Sequence, residues 1–378
     1  MKITTNQSSL LHCLDKVSGV TQGTVINPIF ANVLLQAAGS SLSMTAIDQE
    51  MQIMSSCNVE TDAEFGITVP AKKLQDIIRK LEKGMEVSLV FEEEKNDGGE
   101  KQLLMQLTAG RGKYKLQTLS AENFPLMGKS TDIKPLLNVQ AKTLLESLRQ
   151  VHYASAQQSH RTNLNGVFLE SSIDGLRFVA TDGHRLAMKV LTPEKMADDA
   201  QLILPRKSVN ELIRNLSAEG ENEIKIEAGN RVVRFCGDTF ELTSNIIMET
   251  FPDYRSVIPR NNDKIALVER RSFLASLQRV SVLAEERGAT VIVSLSPEGM
   301  KLECVNKENE SAVEETDAKY ENDAIKLCFN INFLLDILSA VEEDVFKMRL
   351  LEESSSVLIE PAGDGEPSFQ YVVMPVRM

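Results

Sequence analysis

One helical pattern, written three times, constrains this chain more than any other feature. Val69-Pro70-Ala71-Lys72-Lys73-Leu74-Gln75-Asp76-Ile77-Ile78-Arg79-Lys80-Leu81 returns as Leu204-Pro205-Arg206-Lys207-Ser208-Val209-Asn210-Glu211-Leu212-Ile213-Arg214-Asn215-Leu216. It returns again as Phe329-Asn330-Ile331-Asn332-Phe333-Leu334-Leu335-Asp336-Ile337-Leu338-Ser339-Ala340-Val341. In each copy apolar residues fall at i, i+3, i+4 and i+7: Leu74, Ile77, Ile78, Leu81, then Val209, Leu212, Ile213, Leu216, then Leu334, Ile337, Leu338, Val341. That spacing predicts one buried helix face used three times. The copies start 135 and 125 residues apart, so each repeat is long enough to be a domain and far too long for a solenoid unit.

A second helix repeats in the same register. Leu10 to Val17 matches Leu144 to Val151 and Phe273 to Val280. Between the two helices each copy carries an alternating run after a turn: Leu42, Met44, Ala46 after Gly39; Leu176, Phe178, Ala180 after Asp174-Gly175; Met300, Leu302, Cys304 after Glu298-Gly299. Alternation after a Gly turn predicts the second strand of a hairpin with one buried face. Further strands are predicted at Val87 to Phe91, Leu103 to Leu107, Ile224 to Ile226, Val232 to Phe235, Met348 to Leu350 and Val357 to Ile359. Each copy closes on an apolar-Pro step, Phe124-Pro125, Phe251-Pro252 or Met374-Pro375, where proline ends strand pairing. The expected architecture is α+β, three tandem helix-strands-helix-strands domains at 1–128, 129–258 and 259–378. Polar linkers are expected at Gly128 to Asp132 and Arg260 to Asp263, and the acidic run Glu92 to Lys101 is expected to be a solvated hairpin loop.

Composition excludes several classes. The five cysteines stand singly, without a C-x-x-C pair, so neither a disulfide framework nor a zinc site is expected, and no metal or cofactor is. No run pairs a basic head with an apolar core or spans a bilayer, so the protein is expected to be cytoplasmic and away from membranes. The net charge of −13 argues against a nucleic-acid partner until its distribution is examined. The six repeated helical segments together carry +7, which leaves −20 for the rest of the chain. Basic helices in an acidic protein suit one surface facing a polyanion, with contacts to phosphates and none to base edges.

Three motifs in order then carry a resemblance: Ala180-Thr181-Asp182-Gly183-His184-Arg185-Leu186-Ala187, Phe251-Pro252-Asp253-Tyr254-Arg255, and Tyr371-Val372-Val373-Met374-Pro375-Val376-Arg377-Met378. From Met1 to Met378 the chain resembles the bacterial DNA polymerase III beta subunits, the sliding clamps. The resemblance implies a homodimeric, head-to-tail ring with helices inside and sheets outside, a DNA clamp fold without catalytic activity. Implied partners are duplex DNA, the DNA polymerase III alpha subunit, a clamp loader complex, and other polymerases and repair proteins that dock short linear peptides.

The implied peptide pocket comprises Arg161, Leu164, Thr181, Gly183, His184, Arg185, Leu186, Pro252, Val257, Asn330, Ser356, Val373, Met374, Pro375, Val376, Arg377 and Met378, with Arg161, Asn330 and Arg377 fixing polar groups of the peptide. DNA would face Lys72, Arg79, Lys80, Arg149, Gln158, Arg206, Lys207, Arg214 and Arg279. Ring closure would bring Tyr114 and Leu116, on a strand from Lys113 to Thr118, against Val282 and Leu283, with Lys113 near Glu308, Glu310, Glu314 and Glu315. Thr162-Asn163, Phe333, Ser256 and Thr24 depart from the family pattern, which bears on the pocket rim and on DNA contacts.

Two other classes compete. An enzyme would have to use Asp182-Gly183-His184 with a serine such as Ser159, but no strained nucleophile elbow, phosphate loop or metalloprotease helix is present. A triplicated peptide scaffold that never encircles DNA would share the pocket. Neutralising Arg79, Lys80, Arg206 and Arg214 separates it from a clamp.

Overall fold

The structure is a computed structural model that describes residues 1–21, 27–95, 101–128, 132–172, 175–192, 200–284 and 289–377. Thr24, Asp174, Met378, residues 96–100 of the acidic run and residues 129–131 of the first linker lie outside the described residues. Within them the predicted helices form as α1 (Gln7–Val17), α2 (Ala71–Lys80), α3 (Ala141–His152), α4 (Arg206–Leu216), α5 (Arg270–Val280) and α6 (Ile331–Ala340). Three starts are fixed by side chains that accept a free first-turn N–H. Asn6 caps α1 by accepting from Ser9 N at 2.8 Å, and Glu269 caps α5 by accepting from the backbone of Arg271 and Ser272. Asn330 caps α6 by accepting from Asn332 N at 3.0 Å.

The chain forms two compact units, one from residues 1–142 and 210–246, the other from 143–209 and 247–378. The first holds a five-stranded sheet in the order Glu60–Thr61, Lys2–Asn6, Glu86–Lys95, Lys101–Ala109, Gly112–Gln117. It also holds a nine-stranded sheet in which Met51–Asn58 of the first repeat pairs antiparallel with Glu241–Asn245 of the second. The second unit holds another nine-stranded sheet, where Arg185–Leu191 of the second repeat pairs antiparallel with Phe369–Val373 of the third. Its four-stranded sheet runs Ser311–Thr316, Gly299–Val305, Thr290–Ser296, Ile325–Asn330. Sequence repeats and compact bodies therefore divide the chain differently. A strand edge left open by one repeat takes its backbone partners from the next.

Helix packing follows the predicted periodicity. Leu10, Leu14 and Val17 of α1 and Leu74 and Ile78 of α2 are buried, and Gln7 Nε2 donates to Ile78 O at 3.0 Å. Under the far end of α1 lies a charged pair with almost no solvent contact. Lys16 Nζ stands 3.4 Å from Glu219 Oε1, the two side chains being 5% and 0% exposed. The ammonium also donates to Asn215 O at 3.0 Å and sits 5.3 Å from the centre of the Phe240 ring. Thr239 and Asn222 donate to the Glu219 carboxylate. Burial pushes Lys16 below its ordinary pKa even though Glu219 opposes the shift, so the ammonium depends on its partner. Glu219→Ala strands that charge and is expected to lower unfolding free energy by about 3 kcal/mol, read from the urea midpoint, whereas Lys16→Met with Glu219→Leu recovers most of the loss. An unchanged midpoint in Glu219→Ala would show that the pair contributes nothing.

Candidate functional site

The turn between strands Gly175–Thr181 and Arg185–Leu191 is built from its own side chains. Asp182 Oδ1 accepts from His184 N at 2.9 Å and Arg185 N at 3.1 Å. Thr181 Oγ1 accepts from Gly183 N at 3.1 Å and donates to Arg185 O at 2.7 Å. Gly183 turns through φ 91°, a conformation that side chains resist. Asp182 and His184 thus form a capped turn. The His184 ring stacks on Phe333, with centroids 6.5 Å apart, and Ser159 Oγ accepts from Arg161 N at 3.1 Å. The geometry of a Ser-His-Asp relay is not present at this turn.

Arg185 ties the turn to its surroundings. Its Nε lies 3.0 Å from Asp182 Oδ2, its Nη1 2.6 Å from Asp336 Oδ2 on α6, and its Nη2 donates to Tyr153 O at 3.0 Å. The guanidinium carbon also lies over the Phe333 ring, 4.4 Å from its centre, and over the Tyr153 ring, 5.3 Å from its centre. The departure at Phe333 therefore supplies an aromatic face to two residues of the site.

A second wall comes from the segment after Phe251. Phe251 stacks on Phe168 at 4.7 Å and an interplanar angle of 3°, which seats the segment on the sheet. Tyr254 OH donates to Glu170 Oε2 at 2.6 Å, Arg255 donates to the same oxygen, and Gln201 Nε2 donates to Glu170 Oε1 at 3.0 Å. Burial alone would raise the Glu170 pKa. Hydrogen bonds from Tyr254 and Arg255, with the Arg255 charge, more than offset it and hold the carboxyl below its ordinary value. Thr162 and Asn163 donate to Glu249, Asn163 Nδ2 donates to Thr250 O at 2.8 Å, and Ser256 Oγ donates to Asp253 O at 2.7 Å. These departures from the family pattern thus brace the rim through local hydrogen bonds.

Between the walls lies a cavity of about 190 Å³. It brings together ten of the expected residues, Arg161, Leu164, Thr181, Gly183, His184, Arg185, Leu186, Pro252, Val257 and Met374, and adds Asp253, Tyr254 and Val372. Asn330, Ser356, Val373, Pro375, Val376 and Arg377 do not line it. Asn330 is held by its capping role, and Ser356 O accepts from Asn262 Nδ2 at 2.8 Å. Val373 is replaced by Val372 because strand residues alternate: if Met374 borders the cavity, its same-face neighbour is two residues back. Applied to the terminal motif, that period would have found Val372 from sequence. Met374 N donates to His184 O at 3.1 Å and Val376 N to Cys328 O at 2.7 Å, so backbone bonds hold the tail beside the turn. The volume falls below the roughly 300–1,000 Å³ of drug-sized ligand sites and has room for a few side chains.

Of the residues expected to face DNA all but Arg206 are exposed: Lys72, Arg79, Lys80, Arg149, Lys207, Arg214 and Arg279 on the helices, and Gln158 in the segment after α3. Arg79 pairs with Asp15 at 2.9 Å, Arg214 with Glu211 at 2.5 Å, and Arg279 with Glu314 at 2.6 Å. Arg206 is half-buried and donates to the carbonyls of His152 and Ser155, so its guanidinium braces the chain after α3. Of the expected ring-closure residues, Tyr114 lies exposed on the end strand Gly112–Gln117 beside half-buried Leu116, and Val282 is 80% exposed beside half-buried Leu283.

Family descriptions of the DNA polymerase III beta subunit match nearly the whole length: the N-terminal domain at residues 1–128, the central domain at 138–253 and the C-terminal domain at 255–377. The chain is 34% identical to the beta sliding clamp of Pseudomonas aeruginosa over 380 residues, covering 100% of each. A crystal structure of the DNA polymerase III subunit beta from the same organism superimposes with a TM-score of 0.91 at 33% identity, covering 100% of both chains. The Caulobacter crescentus beta sliding clamp, solved with polyethylene glycol bound, gives 0.92 at 32% identity over 100% of this chain and 99% of that one. Glu170 offers a direct check on the wall. Its lowered pKa means that the ionised carboxylate adds stability above the unfolded value near ~4.3, and that this is lost as pH falls through the folded value. Wild type is expected to exceed Glu170→Gln by about 1–2 kcal/mol at neutral pH in urea unfolding, a gap that narrows as pH falls below the ordinary carboxylate value and through the lowered folded one. A gap constant with pH would remove the carboxylate from this role.

Proposed function

The chain belongs to the DNA polymerase III beta subunit family, the beta sliding clamps, and we propose that two copies close head to tail into a ring that threads duplex DNA. It is a replication clamp, a processivity subunit and not a catalyst. The observation that carries this reading is the match of all three beta-subunit domains, in order, along nearly the whole chain. The working domains are 1–128, 129–258 and 259–378. The ring acts in the cytoplasm, where a clamp loader opens it.

A closed ring holds DNA by topology, so phosphate contacts need only be weak, and tight ones would brake sliding. Basic side chains of the helices, Lys72, Lys80, Arg149 and Lys207 among them, face the backbone. Closure uses open sheet edges. Among the described strands, Gly112–Gln117 and Ser311–Thr316 each stand at the end of a sheet, and pairing them across copies leaves neither edge exposed. Tyr114 and Leu116 of one copy would then meet Val282 and Leu283 of the other.

The Arg185 pocket is the tether. A short apolar peptide of the polymerase enters it, and the tether turns each rebinding into an intramolecular event at an effective concentration on the order of millimolar. Aliphatic residues and Met374 give a floor adaptable to several partners that compete for it. Two measurements test the reading. Protein loaded onto a nicked circular plasmid by a clamp loader and ATP is expected to stay bound, and to be lost when the plasmid is linearised. Equal loss from circle and line would mean ordinary electrostatic binding. Overlapping peptides spanning the polymerase alpha subunit are expected to include one that binds wild type and loses at least about tenfold in affinity on deletion of Met374–Met378. Unchanged binding would sink the pocket assignment.

A further inference from the structure

The segment carrying Tyr254 and Arg255 borders a second, larger cavity of about 550 Å³. Tyr254 belongs to the lining of both cavities, so they adjoin at that ring. The lining of the second is unusual for an acidic chain. It includes three arginines, Arg177, Arg255 and Arg260, against one carboxylate, Glu366. Glu170 behind the wall answers Arg255 and, at 3.9 Å, Arg177. Arg260 is exposed and has no ion pair or hydrogen bond among the described residues. The cavity also has an apolar side. Met188 and Tyr254 belong to the buried cluster that contains Leu186 and Val372 of the peptide pocket, with Val190 and Ile258 packed against it.

We propose that this second cavity receives an acidic segment of the same partner protein, continuing from the apolar peptide held in the Arg185 pocket. The proposal rests on the peptide-tether reading above. Guanidinium forks match carboxylates in two-point geometry, and the apolar side accepts the methylenes or rings that accompany them. The volume lies within the range of built ligand sites. Functionally, the apolar pocket would admit any suitable peptide while the arginine cavity ranks those peptides by the charge of their flanks. Partners competing for one pocket would then differ in affinity without differing in the segment that enters it.

The test uses the full-length protein and the alpha-subunit peptide that the scan described above selects, labelled for fluorescence anisotropy. The peptide is made without extension, with four glutamates appended at either end, and with four glutamines in the same places. At about 0.1 M salt the glutamate version at one end is expected to bind about fivefold more tightly than its glutamine counterpart, with the advantage shrinking as salt rises. Arg260→Glu is expected to cancel the advantage and leave the unextended peptide unchanged. The exposed Arg271→Glu serves as a control and is expected to keep it. Equal binding of glutamate and glutamine versions at both ends overturns the proposal. So does an advantage that survives Arg260→Glu, or one that Arg271→Glu removes equally, since that marks general attraction. If the unextended peptide does not bind at all, the tether reading falls first, and this proposal with it.

Discussion

The antiparallel pairing of Arg185–Leu191 with Phe369–Val373 is the contact on which the site depends. It joins the middle of the chain to its last strand, and each strand supplies backbone donors and acceptors that the other would leave unmet. The register sets Leu186 opposite Val372 and Arg185 opposite Val373. Both Leu186 and Val372 then reach the cavity, and the tail emerges with Met374 bonded to His184. The pocket cannot precede this pairing in folding, because Val372 and Met374 arrive with the final strand and the tail after it.

Arg185 exploits that junction. One guanidinium meets a carboxylate of its own turn, a carboxylate on α6 and a backbone carbonyl, while its carbon lies over the rings of Phe333 and Tyr153. A lysine could match the charge but not this planar set of directions. The wall opposite follows a similar logic with the signs exchanged. Buried Glu170 gathers Tyr254, Arg255 and Gln201, and so orients the segment that separates the two cavities.

Charge looks different once side chains have partners. Counting residues makes all the helix bases equivalent, yet Arg206 braces backbone carbonyls and Arg79, Arg214 and Arg279 each meet an acid. Those three arginine side chains are 39–56% exposed, so each guanidinium can exchange its carboxylate for a passing phosphate at little cost. That suits the weak, exchangeable phosphate contacts of the ring proposed above.

The helix faces, the hairpins and the threefold repeat were legible from residues 1–378 alone, because burial periods of 3.6 and 2 are local consequences of backbone geometry. The turn at Asp182-Gly183-His184 was legible for the same reason, its chemistry lying within a few residues. Motif resemblance also named ten of the residues that line the smaller cavity. Three things were decided only by tertiary structure. Sheets run from one repeat into the next, because an open strand edge takes whichever partner the fold presents. Asn330 and Arg206 serve helix and backbone, because a buried or unmet polar group takes the nearest partner before any ligand can. The arginine cavity beyond Tyr254 draws on Arg177, Arg260 and Glu366, residues far apart in sequence that share no period or motif, and only the packing of strands and segment brings them to one place.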